Sequence, residues 1–306
     1  MEAAGLGIRD NGEWILRGSS FRVPRGRIAA LVGPNGDGKS TLLAIAAGLR
    51  PATEGSLRVL GCPAGSRAVL PRVGVLLQDR PLHKTFTVAE TLRMGRQLNP
   101  SWDDALAASV IEDADVPLRA KVGKLSAGRR TCVALALALG KRPDLLLLDE
   151  PMADLDPLRR HAMTAALMAS AARHGTTIVM SSHIVAELHL ICDYVLLMAR
   201  GRVLIADDTD FVQAAHSLVT HTLDDPAAVP RAPRGGGTVI ESRTSGRRLT
   251  ALLRLPTHAD GAATAASPSL DEILLAYLRN PDAPPLLAPG EAAQSPAPDI
   301  HRGRGR

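Results

Sequence analysis

A chain of 306 residues with 45% hydrophobic residues can bury the core of one large α/β domain of about 200 residues and still carry an appendage. Aromatic residues are only 2%, too few for the stacking platforms of a dedicated single-strand nucleic-acid binder, and a formal net charge of +5 suits an anionic ligand or surface without specifying either. Cys62, Cys132 and Cys192 lie far apart with neither metal nor disulfide spacing, and no stretch approaches the roughly 18 apolar residues of a membrane span, so reduced thiols in a cytosolic protein are expected.

The first predicted strand, IAALV at 28–32, runs directly into GPNGDGKST. From Gly33 to Ser40 this matches GxxxxGK[ST], set between a strand and a helix as the pattern requires. Its glycines let backbone N–H groups turn toward a β-phosphate, Lys39 reaches β- and γ-oxygens, and Ser40 is suited to Mg²⁺. Gly33, Pro34, Asn35, Gly36, Asp37, Gly38, Lys39, Ser40 and Thr41 are therefore the candidate residues for binding a nucleoside triphosphate. Asp37 is discordant, because a carboxylate beside a triphosphate repels it unless the side chain faces away.

The next apolar run, VGVLL at 73–77, ends in Gln78, a candidate for the magnesium shell. From 79 to 125 the signals turn helical. TVAE at 87–90 is a capping box opening a helix to about Leu98, and SWDDALAASVIEDA at 101–114 predicts a second. LSAGRR at 125–130 places Ser126 as the N-cap of a helix that stops at Gly140; a helix N-terminus also receives anions, so cap and phosphate ligand are compatible roles. LLLL at 145–148 delivers Asp149, suited to hold Mg²⁺ through water, and Glu150, suited to polarise an attacking water. TIVM at 177–180 leads through Ser181 and Ser182 to His183, a candidate γ-phosphate contact.

Four continuous apolar runs predict strands covered on both faces, as in a parallel sheet, with their terminal residues on one ligand-binding edge. YVLLMARGRVLIAD at 194–207 predicts a hairpin about Gly201. Residues 211–280 carry two candidate strands, TVIES and RLTALLRL, and a capped helix SLDEILLAYL, enough for a small α/β appendage; the Pro- and Ala-rich stretch 281–306 reads as a disordered tail.

The ordered series of phosphate loop, Gln78, LSAGRR, LLLLDE, MADLD and His183 resembles the ATPase subunits of ATP-binding-cassette (ABC) transporters over residues 4–208. The resemblance implies an α/β P-loop NTPase fold: a parallel-sheet core, an N-terminal antiparallel β subdomain, a helical insert and, in export-type members, an accessory appendage. It assigns Glu150 and His183 to catalysis, Ser40, Gln78 and Asp149 to Mg²⁺, and Ser126 and Gly128 to ATP held by a partner subunit. Residues 154–156 become the loop crossing that interface. It also implies a second ATPase subunit, a separate membrane permease, a location on the inner membrane face, service in export, and no direct nucleic-acid partner. Two departures stand out: Ala127 and Arg129 replace a Gly and a Gln of the LSGGQ pattern. The adenine-stacking aromatic is also absent near Asp10, with Trp14 the nearest substitute. The rival readings are a permease-independent ATPase of this type acting on nucleic acid or ribosomes, and a subunit that binds ATP without turnover.

Overall fold

The computed structural model describes residues 1–182, 191–222, 237–255 and 266–288. An N-terminal hairpin, β1 (Glu2–Asp10) and β2 (Glu13–Arg22), joins β4 (Glu54–Val59) and β5 (Cys62–Pro63) in an antiparallel sheet ordered β2-β1-β4-β5. This is the antiparallel subdomain that the resemblance implies.

The central sheet is built from β3 (Ile28–Val32), β6 (Val73–Leu76), β7 (Leu145–Leu148), β8 (Thr177–Ser182), β9 (Tyr194–Ala199), β10 (Arg202–Asp208) and β14 (Leu286–Leu287). Its order is β14-β10-β9-β3-β8-β7-β6, and the five strands from β9 to β6 are mutually parallel. The strands are continuously apolar because both faces are covered. Ile28, Ala30 and Val32 enter one apolar cluster with Leu146, Leu148 and Met180, while Ala29 and Leu31 enter the opposite one with Leu145, Leu147 and Val179. Fully burying one such aliphatic side chain stabilises by about 1.5–3 kcal/mol.

Between β6 and β7 lie the helices of the insert. Thr87 and Glu90 form the expected reciprocal capping box of α2 (Val88–Leu98). The second helix, α3 (Asp104–Asp113), starts later than expected, because the Asp103 carboxylate rather than Ser101 accepts the Leu106 N–H, at 2.9 Å. α4 (Ala127–Gly140) then packs on α3 and β6. Beyond β7, α5 (Pro157–His174) crosses back to β8.

After β10 come α6 (Thr209–Ala214), β11 (His216–Thr222), β12 (Thr238–Ser245), β13 (Arg248–Arg254) and α7 (Leu270–Arg279). The three strands form a sheet ordered β11-β13-β12, of which β11 was not expected from sequence. Val212, Ile240, Leu252, Ile273 and Tyr277 belong to the same apolar cluster as Leu148 and Met180, so the appendage shares a core with the main sheet.

The tail expected from residue 281 begins differently. Residues 281–288 return to the main sheet, where Leu286 and Leu287 pair in parallel with Ile205 and Ala206, and the Ala288 N–H bonds the Ala206 carbonyl at 3.1 Å. Arg254 Nη1 donates to the carbonyls of Pro284 and Pro285 at 2.9 and 3.0 Å, and Ala283 is buried. Proline is tolerated at such a sheet edge, where its missing N–H removes no ladder bond. Residues 289–306 lie outside the described part of the chain.

Candidate active site

Because β3, β8, β7 and β6 are neighbours and parallel, their carboxyl ends deliver the chemistry-bearing residues to one edge. The phosphate loop follows β3, Asp149 and Glu150 follow β7, Gln78 follows β6, and Ser181 and Ser182 close β8 between them. His183 lies outside the described residues.

The loop 33–38 leads into α1 (Lys39–Ala46), whose N-terminal N–H groups have no intrahelical acceptors. Gly36 and Gly38 adopt φ of 89° and 93°, a region that L side chains rarely enter. A Cβ on Gly38 would stand 2.6 Å from Leu16 Cδ2 and 3.1 Å from the Ile15 carbonyl, so β2 walls the loop. Lys39 is buried, and its Nζ donates to the carbonyls of Gly33 and Pro34 at 2.8 and 2.9 Å. Burial pulls its pKa below the ordinary lysine value against the opposing charges of Glu150, Asp37 and Asp149. A buried ammonium held by loop carbonyls is a cradle that a polyanion completes.

Asp37 has a partner outside this cradle: its Oδ2 accepts the Arg200 backbone N–H, at 2.9 Å, in the β9–β10 turn. The discordant carboxylate is thus spent tying the phosphate loop to the hairpin about Gly201.

Asp149 is buried, and its Oδ1 accepts a hydrogen bond from Ser181 Oγ at 2.7 Å. The same Oγ accepts the Glu150 N–H at 2.8 Å, and Glu150 sits at φ 46°. One buried carboxylate together with the hydroxyl of exposed Ser40 and the amide of exposed Gln78 is a hard-oxygen donor set that suits Mg²⁺ bound jointly with substrate phosphates. Among the described residues there is no cluster of three or more His, Cys, Asp or Glu that could cage a metal without such help.

Ser126 Oγ accepts the Arg129 N–H at 3.3 Å, and its carbonyl accepts the Arg130 N–H at 3.0 Å, so within the chain it is an exposed helix cap. Ala127 is the first residue of α4 and Gly128 is buried in it; a Cβ on Gly128 would approach the Asp154 carbonyl to 2.8 Å. The alanine therefore sits in helical backbone, where its methyl is tolerated. Arg129 pairs with Asp115 at 3.1 Å. Arg80, two residues after Gln78, pairs with Asp154 at 2.6 Å, linking the loops that follow β6 and β7. Trp14 packs its ring toward Gly7 with the Arg9 guanidinium 4.0 Å above it, within a cleft of about 300 Å³ shared with Ile15, Arg200 and Asp282.

Sequence comparison places this geometry. A profile described as ABC transporter matches residues 16–153. The hemin import ATP-binding protein HmuV of Streptomyces coelicolor is 36% identical over 251 residues, 78% of this chain and 88% of that protein. The chain belongs to the ABC transporter ATPase family. The Nod factor export ATP-binding protein I of Mesorhizobium japonicum is 37% identical over 190 residues, 60% of this cassette chain, and the match spans only 56% of that relative's length. Among solved structures, a bacterial Atm1-family ABC exporter with ATP bound superposes with a TM-score of 0.61 at 26% identity, covering 70% of this chain and 39% of that one. The chain thus shares the fold and motifs of the family's ATP-binding subunits, and its relatives include both an exporter's subunit and an importer's.

Sequence reading missed three contacts of the cassette: Ser181 with Asp149 and Glu150, Arg200 with Asp37, and Arg80 with Asp154. Only the first carried a signal, a serine pair closing an apolar strand on the ligand-binding edge.

Proposed function

We propose that this chain hydrolyses ATP and drives a separate membrane permease as one of two cooperating ATPase subunits. The observation that carries the reading is the convergence of the phosphate loop, Asp149, Glu150 and Gln78 on one sheet edge, with the Lys39 ammonium already desolvated there. The backbone N–H groups of residues 35–41 bind the β-phosphate, and Lys39 Nζ moves from the Gly33 and Pro34 carbonyls to the phosphate oxygens. Ser40, Gln78 and Asp149 would hold Mg²⁺, which would supply neutralisation of phosphate charge when bound. Glu150 orients the attacking water and accepts its proton as the water oxygen bonds to the γ-phosphorus and the bond to the ADP leaving oxygen breaks. His183 contacts the γ-phosphate.

Ser126 and Gly128 act on the nucleotide of the second subunit, since Ser126, the cap of α4, is exposed and a helix N-terminus receives anions. The direction we read is export, supported by the Nod factor relatives and opposed by the hemin import relative. No helix among the described residues is long and apolar enough to cross a membrane, which fits action through a permease at the inner membrane face.

Sedimentation tests the paired site. Glu150→Gln should dimerise on adding ATP, whereas Ser126→Asp in the same background keeps a good helix cap but meets a γ-phosphate with like charge. The double variant should stay folded, bind ATP and remain monomeric. An ATP-induced dimer as strong as that of Glu150→Gln alone would leave Ser126 an ordinary cap.

A further inference from the structure

We propose that Ser181 is a positioning residue for ATP hydrolysis, its single hydroxyl fixing both the carboxylate of Asp149 and the backbone that aims Glu150. The proposal rests on the hydrolytic reading above and adds to it a residue that none of the nucleotide motifs includes.

The geometry begins in the sheet. β8 lies between β3 and β7, so the end of β8 is the one backbone position adjacent to both the phosphate loop and the acidic pair. In register, Leu148 faces Met180 across the β7–β8 ladder, which puts residues 149 and 181 side by side just as the ladder ends. Ser181 is completely buried, so its hydroxyl has no water to turn to and its bonding is set by the protein. It donates its proton to Asp149 Oδ1 at 2.7 Å and accepts the Glu150 N–H at 2.8 Å. The two bonds are complementary: a hydroxyl that donates to a carboxylate becomes a better acceptor for the amide behind it.

Each bond restrains a different degree of freedom. The first removes rotation of the Asp149 carboxylate. Partners of this kind typically change metal affinity or activity about 10–100-fold when lost. The second ties down a peptide at φ 46°, a left-handed conformation for a residue that is not glycine. Such backbone persists only where surrounding bonds over-determine it, and here it turns the chain sharply between the metal-facing and water-facing carboxylates. Asp149 is anchored from the other side by its own N–H to the Leu76 carbonyl at 2.8 Å, so Ser181 completes a clamp on the turn. Lys39 and the loop glycines lie outside this clamp, which separates the proposed role from nucleotide binding.

The test uses the full chain with Ser181→Ala, Ser181→Thr and Ser181→Cys, measuring phosphate release, ATP affinity with Mg²⁺ and with EDTA, and melting temperature. Ser181→Ala should lower kcat about 10–100-fold, with ATP affinity in EDTA unchanged and KM for Mg²⁺–ATP raised by no more than about 10-fold. It should also reduce, by about 10-fold, the gain in ATP affinity that Mg²⁺ confers. Ser181→Thr keeps the hydroxyl and should return kcat to within about 3-fold of the parent; Ser181→Cys, a weak donor, should fall between. If Ser181→Ala does not fold, the cysteine variant carries the comparison. A Ser181→Ala enzyme with parental kcat and Mg²⁺ gain, or a threonine variant as impaired as the alanine one, would overturn the proposal. A parent chain that binds Mg²⁺–ATP but releases no phosphate would instead overturn the hydrolytic reading, and the Mg²⁺ gain in affinity would still decide the role of Ser181.

Discussion

Replacing Gly38 by alanine asks whether β2 really walls the phosphate loop. At φ 93° an added side chain is strained by about 1–2 kcal/mol whatever the space around it. The new methyl would also stand 2.6 Å from Leu16 Cδ2, 3.1 Å from the Ile15 carbonyl and 3.2 Å from Ile15 Cγ2. Leu16 is 1% exposed and has nowhere to retreat, so overpacking adds about 1–3 kcal/mol. The sum, about 2–5 kcal/mol, corresponds to a fall in melting temperature of roughly 4–20 °C for a cassette of this size. Gly36→Ala is the control: its φ of 89° is nearly the same, yet nothing lies within 4 Å of its added methyl. Strain alone, about 1–2 kcal/mol, should lower its melting temperature by only about 2–8 °C. Differential scanning fluorimetry of both variants, with isothermal titration of ATP, makes the comparison. ATP affinity should fall more for Gly38→Ala, whose methyl pushes the start of α1 out of place. Equal melting temperatures for the two variants would refute the wall, because only the collision distinguishes them.

Two further outcomes concern the appendage. A chain ending at Ala288 should melt with the full chain, whereas one ending at Asn280 loses the β14 pairing and both Arg254 bonds and should melt about 2–8 °C lower, a net cost of about 1–2 kcal/mol; equal melting of the two would show that the returning segment contributes nothing. His216 is buried, with Nδ1 2.7 Å from the Val212 carbonyl and Nε2 3.1 Å from Tyr277 Oη, and burial, aided by Arg254, lowers its pKa from the ordinary 6.5. A depressed folded-state pKa means the unfolded chain binds the extra proton, so this stabilisation is complete above about pH 6.5 and is lost as the pH falls toward the folded value, by at most about 1.4 kcal/mol per pH unit. Melting curves between about pH 7.5 and pH 5 should therefore slope less steeply for His216→Gln than for the parent, and parallel curves would remove His216 from the account.

What could be read from the sequence was what depends on neighbouring residues. The runs at 28–32, 73–77, 145–148 and 177–180 became β3, β6, β7 and β8 because a strand covered on both faces must be apolar throughout. The capping box at Thr87 and the serine cap at 126 were legible because each is a bond across three residues. Contacts between distant segments were not. Asp37 meets Arg200 across 163 residues, so this partner could not be foreseen. Ser181 reaches Asp149 only because β7 and β8 are adjacent, a fact of strand order rather than of strand composition. The segment 281–288 looked unable to order itself, and it does not do so alone: it borrows the edge of β10 and the guanidinium of Arg254. β11, rich in His, Ser and Thr, lacks an apolar run, and it pairs with β13 along its whole length.

The claim that this sheet edge hydrolyses ATP is tested most directly by phosphate release from the parent chain and from Glu150→Gln, each with ATP binding measured in parallel. The parent should release phosphate in an ATP- and Mg²⁺-dependent manner, and Glu150→Gln should bind ATP as tightly while turning over about 10²–10⁴-fold more slowly. Phosphate release by Glu150→Gln at the parental rate, or none from a parent that binds ATP, would contradict it.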